Sequence, residues 1–492
     1  MMQNERSHRY LACDFGAASG RVVLARLHAG VLSVDDVHRF QNDPVEYGGA
    51  LHWDVARLWF ELRSALSAVR ETNVAGIGVD TWGVDYALLG ERGELLQNPY
   101  HYRDSRNVSA MAEVLRLIPA EEMYQATGIQ LISINTINQL YAARVHTPRL
   151  LDAADRFLMM PDLFNYWLTG QAVCEFTDAT TTQLVNPETR NWSAGLFDRL
   201  GIPVRLAPPI LEPASVVGTL LPGLARLEGT RVIASASHDT ASAVAAITAR
   251  DNTAFISSGT WSLIGIELDA PIITPASFKL NFSNEGGVCG TTRFLKNVMG
   301  LWMLQCCQRS WTAGGRALPY DELLEAAARE PGFRYLVDPD EGSFMRPDDM
   351  PAAIDRFCLR TGQAMPTTAP AYARAILDSL ALKYRLVIEN LQRVIARPID
   401  QIRVVGGGSK NRLLSQFTAD ATGRTVIAGP AEATALGNVA VQMIATGTAA
   451  SLAEARAIID RSFPTETFHP QTPERWDREV ERFQQLCELT YA

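Results

Sequence analysis

The chain has 492 residues, 47% apolar and 20% charged, with 35 Gly and 25 Pro. This composition excludes a collagenous or broadly disordered protein. The length exceeds the roughly 250–300 residues at which a single core stops growing, so at least two domains are expected. The net charge of −9, without long Lys/Arg runs, argues against non-specific nucleic-acid binding. No 18-residue run is uninterruptedly apolar, which argues against a membrane span.

The opening MMQNERSHRY lacks the layout of a secretory signal, and its first seven or eight residues read as a loose start. Cysteines stand at 13, 174, 289, 306, 307, 358 and 487 with no CxxC pair. A disulfide framework or a structural zinc site is therefore not expected, and a reducing cytoplasm fits. The vicinal Cys306 and Cys307 read either as a redox pair or as two small apolar residues of a helix.

In chain order, Tyr10–Cys13 is an apolar strand, followed by Asp14-Phe15-Gly16-Ala17-Ala18-Ser19-Gly20-Arg21. Val22–Leu27 and Val31–Phe40 are two further strands. Small residues and glycines after a strand-end carboxylate let backbone N–H groups approach phosphate, and Arg21 could add a charged fork. Asp14 alone would repel phosphate, so it needs a divalent cation between them. The same segment reads equally as a plain hairpin. Asp54 caps a helix to about Glu71, and Val74–Val79 is a buried strand. Then comes Asp80-Thr81-Trp82-Gly83-Val84-Asp85, with Tyr102-Arg103-Asp104 beyond. An aromatic face with polar partners around a glycine suits a sugar, but a strand-end turn over a core Trp reads as well. Ala87–Leu89 and Glu94–Leu96 flank a turn.

The Pro/Gly-rich stretch 208–223 reads as a loop system, Val232–Ser235 as a strand and 240–249 as a helix. In Ser237-His238-Asp239 three consecutive residues cannot converge into a hydrolase triad. Asp239 reads as an N-cap, as a general base at a helix N-terminus, or as both. Arg250-Asp251-Asn252 looks like a crossover between domains. The strand Thr253–Ser257, the turn Ser258-Gly259-Thr260 and the strand Trp261–Leu268 echo the first hairpin, a weak internal repeat. Ala371–Ala396 is a long amphipathic helix. Gln401–Val405 is a strand, Gly406-Gly407-Gly408 a loop and Asn411–Thr422 a helix. The loop could admit a phosphate or a flat ligand, or be an unliganded turn. It is not a GxGxxG fingerprint, and no P-loop occurs anywhere. Ser451 with Glu454 suggests a capping box, and a last helix spans about 473–489.

Taken in this order, the segments resemble the FGGY family of carbohydrate kinases. Besides those quoted, Met160-Pro161-Asp162, Tyr166-Trp167-Leu168-Thr169-Gly170, Asn284-Glu285-Gly286-Gly287 and Lys296-Asn297-Val298-Met299-Gly300-Leu301-Trp302 carry the likeness. It runs from about residue 10 to 485. The resemblance implies an α/β fold of two ribonuclease-H-like, actin-like ATPase domains around a central cleft. Residues 1–249 would form the sugar-binding domain with the catalytic base, and 250–492 the ATP-binding domain. Asp239 resembles the family's catalytic base. Gly83, His238, Thr240 and Asn297 match sugar positions. Ala17, Ala18, Ser19, Gly20, Arg21, Thr260, Gln305 and Gly407 match nucleotide positions, and Asp14 the carboxylate that meets magnesium through water. The implied partners are Mg2+ with ATP and a small ketose, with no nucleic acid or membrane, in a cytoplasmic monomer or small homo-oligomer. Met160-Pro161-Asp162 lacks the Lys of the wider family, and the stretch around Asn297 also departs from it. Both forms resemble the branch that takes L-rhamnulose, with L-fuculose or a ketopentose as the alternatives. Cysteines seen in some relatives after the triple glycine are replaced by Ser409, Thr418 and Thr422.

Overall fold

Two mixed sheets are built on hairpins whose first strands are apolar on both faces. The computed structural model describes residues 7–71, 73–316 and 318–491. The expected loose start therefore lies largely outside the described residues. Strand His8–Phe15 buries Tyr10–Cys13 completely, because a strand covered on both faces reads as one apolar run. It pairs antiparallel with Ser19–His28, and that strand pairs antiparallel with Val31–Gln41. On its other side it pairs parallel with Gly76–Thr81, which pairs parallel with Arg231–Ile233. Val216–Thr219 closes the edge antiparallel. The register sets Asp14 opposite both Arg21 and Asp80, so three charged residues meet at one sheet end.

The second sheet repeats this order. Thr292–Met299, Trp261–Leu268, Thr253–Ser258, Gln401–Val405, Thr425–Ala428 and Glu466–Phe468 are successive neighbours, with Ser283–Gly286 added at the first edge. Again one antiparallel hairpin is followed by two parallel pairs and an antiparallel last strand. The echo between the two turns therefore extends to whole sheets.

The chain forms two compact units, and they are not two continuous halves. The first comprises 1–248, 267–294 and 433–464, the second 249–266, 295–432 and 465–492. The sequence places one boundary at 249/250, whereas the chain passes between the units five times, first at 248/249. The physical reason lies in the Ala433–Ala445 helix. Its Gln442 donates to Leu11 O (2.9 Å) and its Asn438 to Asp80 Oδ2 (2.5 Å), so it belongs to the first sheet. Gly78 permits that approach, since a Cβ there would stand 2.9 Å from Gln442 Nε2.

Several local expectations change. The 208–223 stretch contains short strands, Ile210–Leu211 and Val216–Thr219. Glu94–Leu96 is no separate strand, yet it returns along the first arm: Leu95 bridges to Leu89, Gly90 N–H donates to Glu94 O (2.9 Å) and Leu96 N–H to Leu88 O (3.0 Å). The C-terminal helix is two, Pro473–Asp477 and Val480–Tyr491. Ser451 caps its helix by accepting from Glu454 N, but the Glu454 carboxylate takes Ala450 N–H instead of the cap residue's own. Cys306 and Cys307 are buried on the Trp302–Ala313 helix. Among the described residues no helix is long and apolar enough to cross a membrane.

Candidate active site

In the first unit, Asp239 is the first residue of the helix Asp239–Ala245. The N-cap is His238 rather than Asp239, and no side chain caps the helix. The Asp239 carboxylate thus lies at the positive end of the helix without serving as its N-cap. Its side chain is 31% exposed, enough for a ligand to reach it. Burial, more than the opposing pull of His238, raises its pKa above the usual carboxylate range, and Asp14 adds to the rise. Thr240 donates to Asp239 Oδ1 (3.2 Å), and His238 Nε2 lies 3.5 Å from the same oxygen.

The segment leading into this helix is clamped. Ser237 N–H donates to Glu175 Oε2 (3.0 Å), and His238 N–H to Thr177 Oγ1 (3.3 Å), which itself donates to Glu175 (2.5 Å). Ser237 O accepts from Thr81 N (2.9 Å). Glu175 is fully buried, and its pKa is pushed up to about 7 by desolvation. On the other face of His238 stands Arg293, also fully buried. It donates to Gly286 O (2.7 Å) and approaches His238 Nδ1 at 3.2 Å and Glu285 Oε2 at 3.2 Å.

Gly83 sits against the same region. A Cβ there would stand 3.0 Å from Thr181 Cγ2 and 3.1 Å from Asp178 Oδ1, so a side chain would fill the space between them. Asp85 N–H donates to Gly83 O (2.9 Å), closing a three-residue γ-turn on Val84 at φ +68°. Positive φ is strained for a β-branched residue, at a cost of order 1–3 kcal/mol. Thr181 Oγ1 accepts Val84 N–H, while Thr136 and Gln139 donate to Val84 O, holding the strained residue in place.

Trp82 and Asp85, offered above as a sugar face, are core instead. Asp85 is fully buried and accepts from Trp53 Nε1 (2.5 Å), Trp82 Nε1 (3.0 Å), Tyr102 N (3.2 Å) and Gln139 Nε2 (2.8 Å). The rings of Trp53, Trp82 and His101 stack around it. Desolvation pushes Asp85 up to about 7 despite these donors.

At the first hairpin, Gly16 N–H closes onto Ser19 O (2.9 Å). The N–H groups of Ala17 and Ala18 donate to no group among the described residues, and both residues are half-buried. Ser19 is exposed; Gly20 lies beneath the Phe40 ring, where a Cβ would collide. Arg21 differs from the free phosphate fork of the sequence reading. Its Nε and one terminal nitrogen both donate to Asp14 Oδ2, at 2.9 and 2.8 Å. Asp80, fully buried beside Asp14, leaves Oδ1 without a hydrogen-bond partner. Its pKa is raised well above normal by burial, then by the charges of Asp14 and Asp239. Asp14 and Asp80, neighbouring carboxylates with one orphaned oxygen between them, offer the hard donors that a divalent cation takes. No group of three metal-ligating side chains is close enough to hold an ion alone among the described residues.

In the second unit, Thr260 and Gln305 come together, Thr260 Oγ1 lying 3.5 Å from Gln305 Oε1. Thr260 O accepts from Gly300 N (3.1 Å) and Trp302 N (3.2 Å), tying the turn to the helix that carries Gln305. The triple glycine packs on the same turn. Cβ atoms at Gly406 and Gly408 would meet Ser258 O at 2.9 Å, whereas Gly407 is exposed with nothing within 4 Å. The two flanking glycines serve packing, and the central one offers open backbone. Asn297 is half-buried on Thr292–Met299, beside Lys296, whose pKa burial lowers to about 8.

Sequence reasoning missed the surroundings. Asp178, Thr181, Glu175 and Arg293 carry no local signature, because each acts through partners distant in sequence.

Residues 9–246 match the N-terminal domain, and 254–446 the C-terminal domain, of the FGGY family of carbohydrate kinases. A rhamnulokinase of Bacteroides thetaiotaomicron is 44% identical over 474 residues, covering 95% of this chain and 97% of that protein. One from Oceanobacillus iheyensis is 41% identical, covering 94% and 99%. A ligand-bound xylulose kinase from Lactobacillus acidophilus superposes with a TM-score of 0.80 at 18% identity, covering 98% and 97%. Plasmodium falciparum glycerol kinase with ADP gives 0.75 at 15%, covering 99% and 98%, so these kinases share the two-domain fold. With both domains matched in order and relatives alike over nearly the whole length, the chain belongs to the FGGY family of carbohydrate kinases and is an ATP-dependent sugar kinase.

Proposed function

We propose that the protein transfers the γ-phosphoryl group of ATP to O1 of L-rhamnulose, with Asp239 as general base. The observation that carries this reading is the placement of Asp239: a reachable carboxylate at a helix start, raised in pKa by burial and flanked by His238 and Thr240. A base of raised pKa accepts a hydroxyl proton more readily, and such a role contributes roughly 10²–10⁴-fold. The similarity to rhamnulokinases supports the choice of ketose.

Phosphoryl transfer needs alignment and charge neutralisation more than covalent help. His238, Thr240 and Gly83 of the first unit are assigned to holding the sugar, which fixes the attacking hydroxyl relative to Asp239, and Asn297 of the second unit keeps the sugar role that the family resemblance gives it. The backbone N–H groups of Ala17 and Ala18, with Ser19 and Gly20 of the same turn, receive phosphate oxygens, and Arg21, held by Asp14, sets positive charge beside them. Thr260, Gln305 and the open backbone at Gly407 receive the rest of the nucleotide. Asp14, beside Asp80, would hold Mg2+ through water, and that ion supplies neutralisation of phosphate charge when bound. The acidic chain needs such local devices to take a polyanion.

The test is coupled ADP release with magnesium-ATP against a ketose panel. L-Rhamnulose is expected to give the highest kcat/KM. A better L-fuculose or ketopentose would overturn the substrate, and ADP release indifferent to every sugar would overturn the kinase assignment of the site.

A further inference from the structure

Arg293 lies against His238 in a way the phosphoryl-transfer roles do not use. Its guanidinium is fully buried, in the same compact unit as His238. It is fixed at three points: Nε on Gly286 O (2.7 Å), one terminal nitrogen 3.2 Å from Glu285 Oε2, the other 3.2 Å from His238 Nδ1. Glu285 is itself held by the Ser283 hydroxyl (3.2 Å). Glu285 Oε2 also lies 3.4 Å from His238 Nδ1. The ring nitrogen therefore faces a donor and an acceptor, and the two would impose opposite tautomers.

The chemistry of the groups decides between them. A guanidinium has five N–H donors, no acceptor and no accessible neutral form. It can meet Nδ1 only where Nδ1 presents a lone pair. A proton on Nδ1 would set two N–H donors against each other at 3.2 Å between two buried side chains. Glu285 is the farther partner, and its charge is already matched by Arg293.

We propose that Arg293 is a positioning residue that fixes His238 as the neutral tautomer protonated on Nε2. This deepens the kinase reading and rests on it for the roles of His238 and Asp239. Two consequences follow for the reaction. His238 presents a hydrogen-bond donor on the side where Asp239 Oδ1 lies 3.5 Å away. The sugar atom meeting His238 must then be an acceptor oxygen, so an analogue lacking that oxygen is rejected. His238 also has no lone pair at Nε2 and cannot compete with Asp239 as the base.

The test reads the tautomer directly and without sugar. In the ligand-free protein with 15N-labelled histidine, assigned by loss of its signals in His238→Gln, the His238 Nδ1 is expected at the unprotonated, pyridine-like shift and Nε2 at the protonated one at pH 7.5. In R293M/E285Q, which removes both charges together, Nδ1 is expected to lose that pattern. The KM for L-rhamnulose should rise at least tenfold, with the KM for ATP within twofold. A protonated Nδ1 in the wild-type protein overturns the proposal, as does a folded double variant with tautomer and sugar KM unchanged. If the double variant does not fold, the wild-type measurement alone decides. Because that measurement needs no turnover, a wrong substrate assignment and a wrong tautomer give different results.

Discussion

Replacing Gly437 with alanine tests whether the position of Asp239 depends on a close contact between two helices. Both helices belong to the first unit, Asp239–Ala245 and Ala433–Ala445. A Cβ at Gly437 would overlap Ser242 O outright and stand 2.6 Å from Ser242 C and 3.1 Å from Ala246 N. These are backbone atoms and cannot rotate away. Restoring the 3.4 Å of ordinary contact to Ser242 C requires a retreat of 0.8 Å, and relieving Ser242 O requires more. The helix that moves carries Asp239 at its start, three residues before Ser242. Overpacking of this kind costs about 1–3 kcal/mol. A displacement near 1 Å at a reacting group costs up to about 10²-fold in rate. The expected result is a kcat lowered about 10- to 100-fold in the ADP-release assay, with Tm lowered by about 2–4 °C per kcal/mol. Gly195→Ala is the control, since Gly195 lies within the Ala194–Arg199 helix with nothing within 4 Å. It should leave kcat unchanged and Tm equal or slightly higher. A Gly437→Ala enzyme with kcat within twofold of wild type and an unchanged Tm would refute the reasoning.

Asp239→Asn is expected to lower kcat by about 10²–10⁴-fold while the Kd for ATP, measured calorimetrically, stays within about threefold. The acid limb of kcat/KM for the wild type should lie above the ordinary Asp value of about 3.9, because burial raises this carboxyl. The glycine loop gives a paired comparison. Gly408→Ala collides with Ser258 and should lower both Tm and ATP affinity, whereas Gly407→Ala meets nothing and should weaken ATP binding with Tm within about 1 °C. Asp85, pushed up to about 7 by burial, makes stability depend on pH. The folded form holds its proton more tightly than the unfolded chain, so this contribution is full below about pH 4 and is lost as pH rises to about 7. In urea unfolding between pH 4.5 and 7, Asp85→Asn should remove up to about 1.4 kcal/mol per pH unit of that decline. An unchanged slope would show that Asp85 is ionised throughout.

The amino-acid order by itself determined the hairpins, the long helix and the repeat. The strand His8–Phe15 is legible because burial on both faces demands an unbroken apolar run. The Ala369–Ile395 helix is legible because Thr368 caps it and apolar residues recur at helical spacing. The turns at Gly16–Ser19 and Ser258–Thr260 announce themselves through small residues between apolar strands. Asp239, Gly407 and the 17–21 turn stand out in the sequence as site candidates because each lies where a strand or loop meets a turn or helix. Only the tertiary structure decided what surrounds them. Asn438 meets Asp80 across 358 residues and Arg293 meets His238 across 55, and hydrogen-bond geometry at that distance leaves no periodic trace. The assignment of 433–464 to the first unit has the same cause, since Gln442 and Asn438 are polar residues spent on the backbone and a carboxylate of a remote sheet. Asp85 shows the limit most plainly. Its residue type and spacing suit a sugar contact, yet four donors from Trp53, Trp82, Tyr102 and Gln139 close around it, and which donors converge on a buried carboxylate is settled by packing alone.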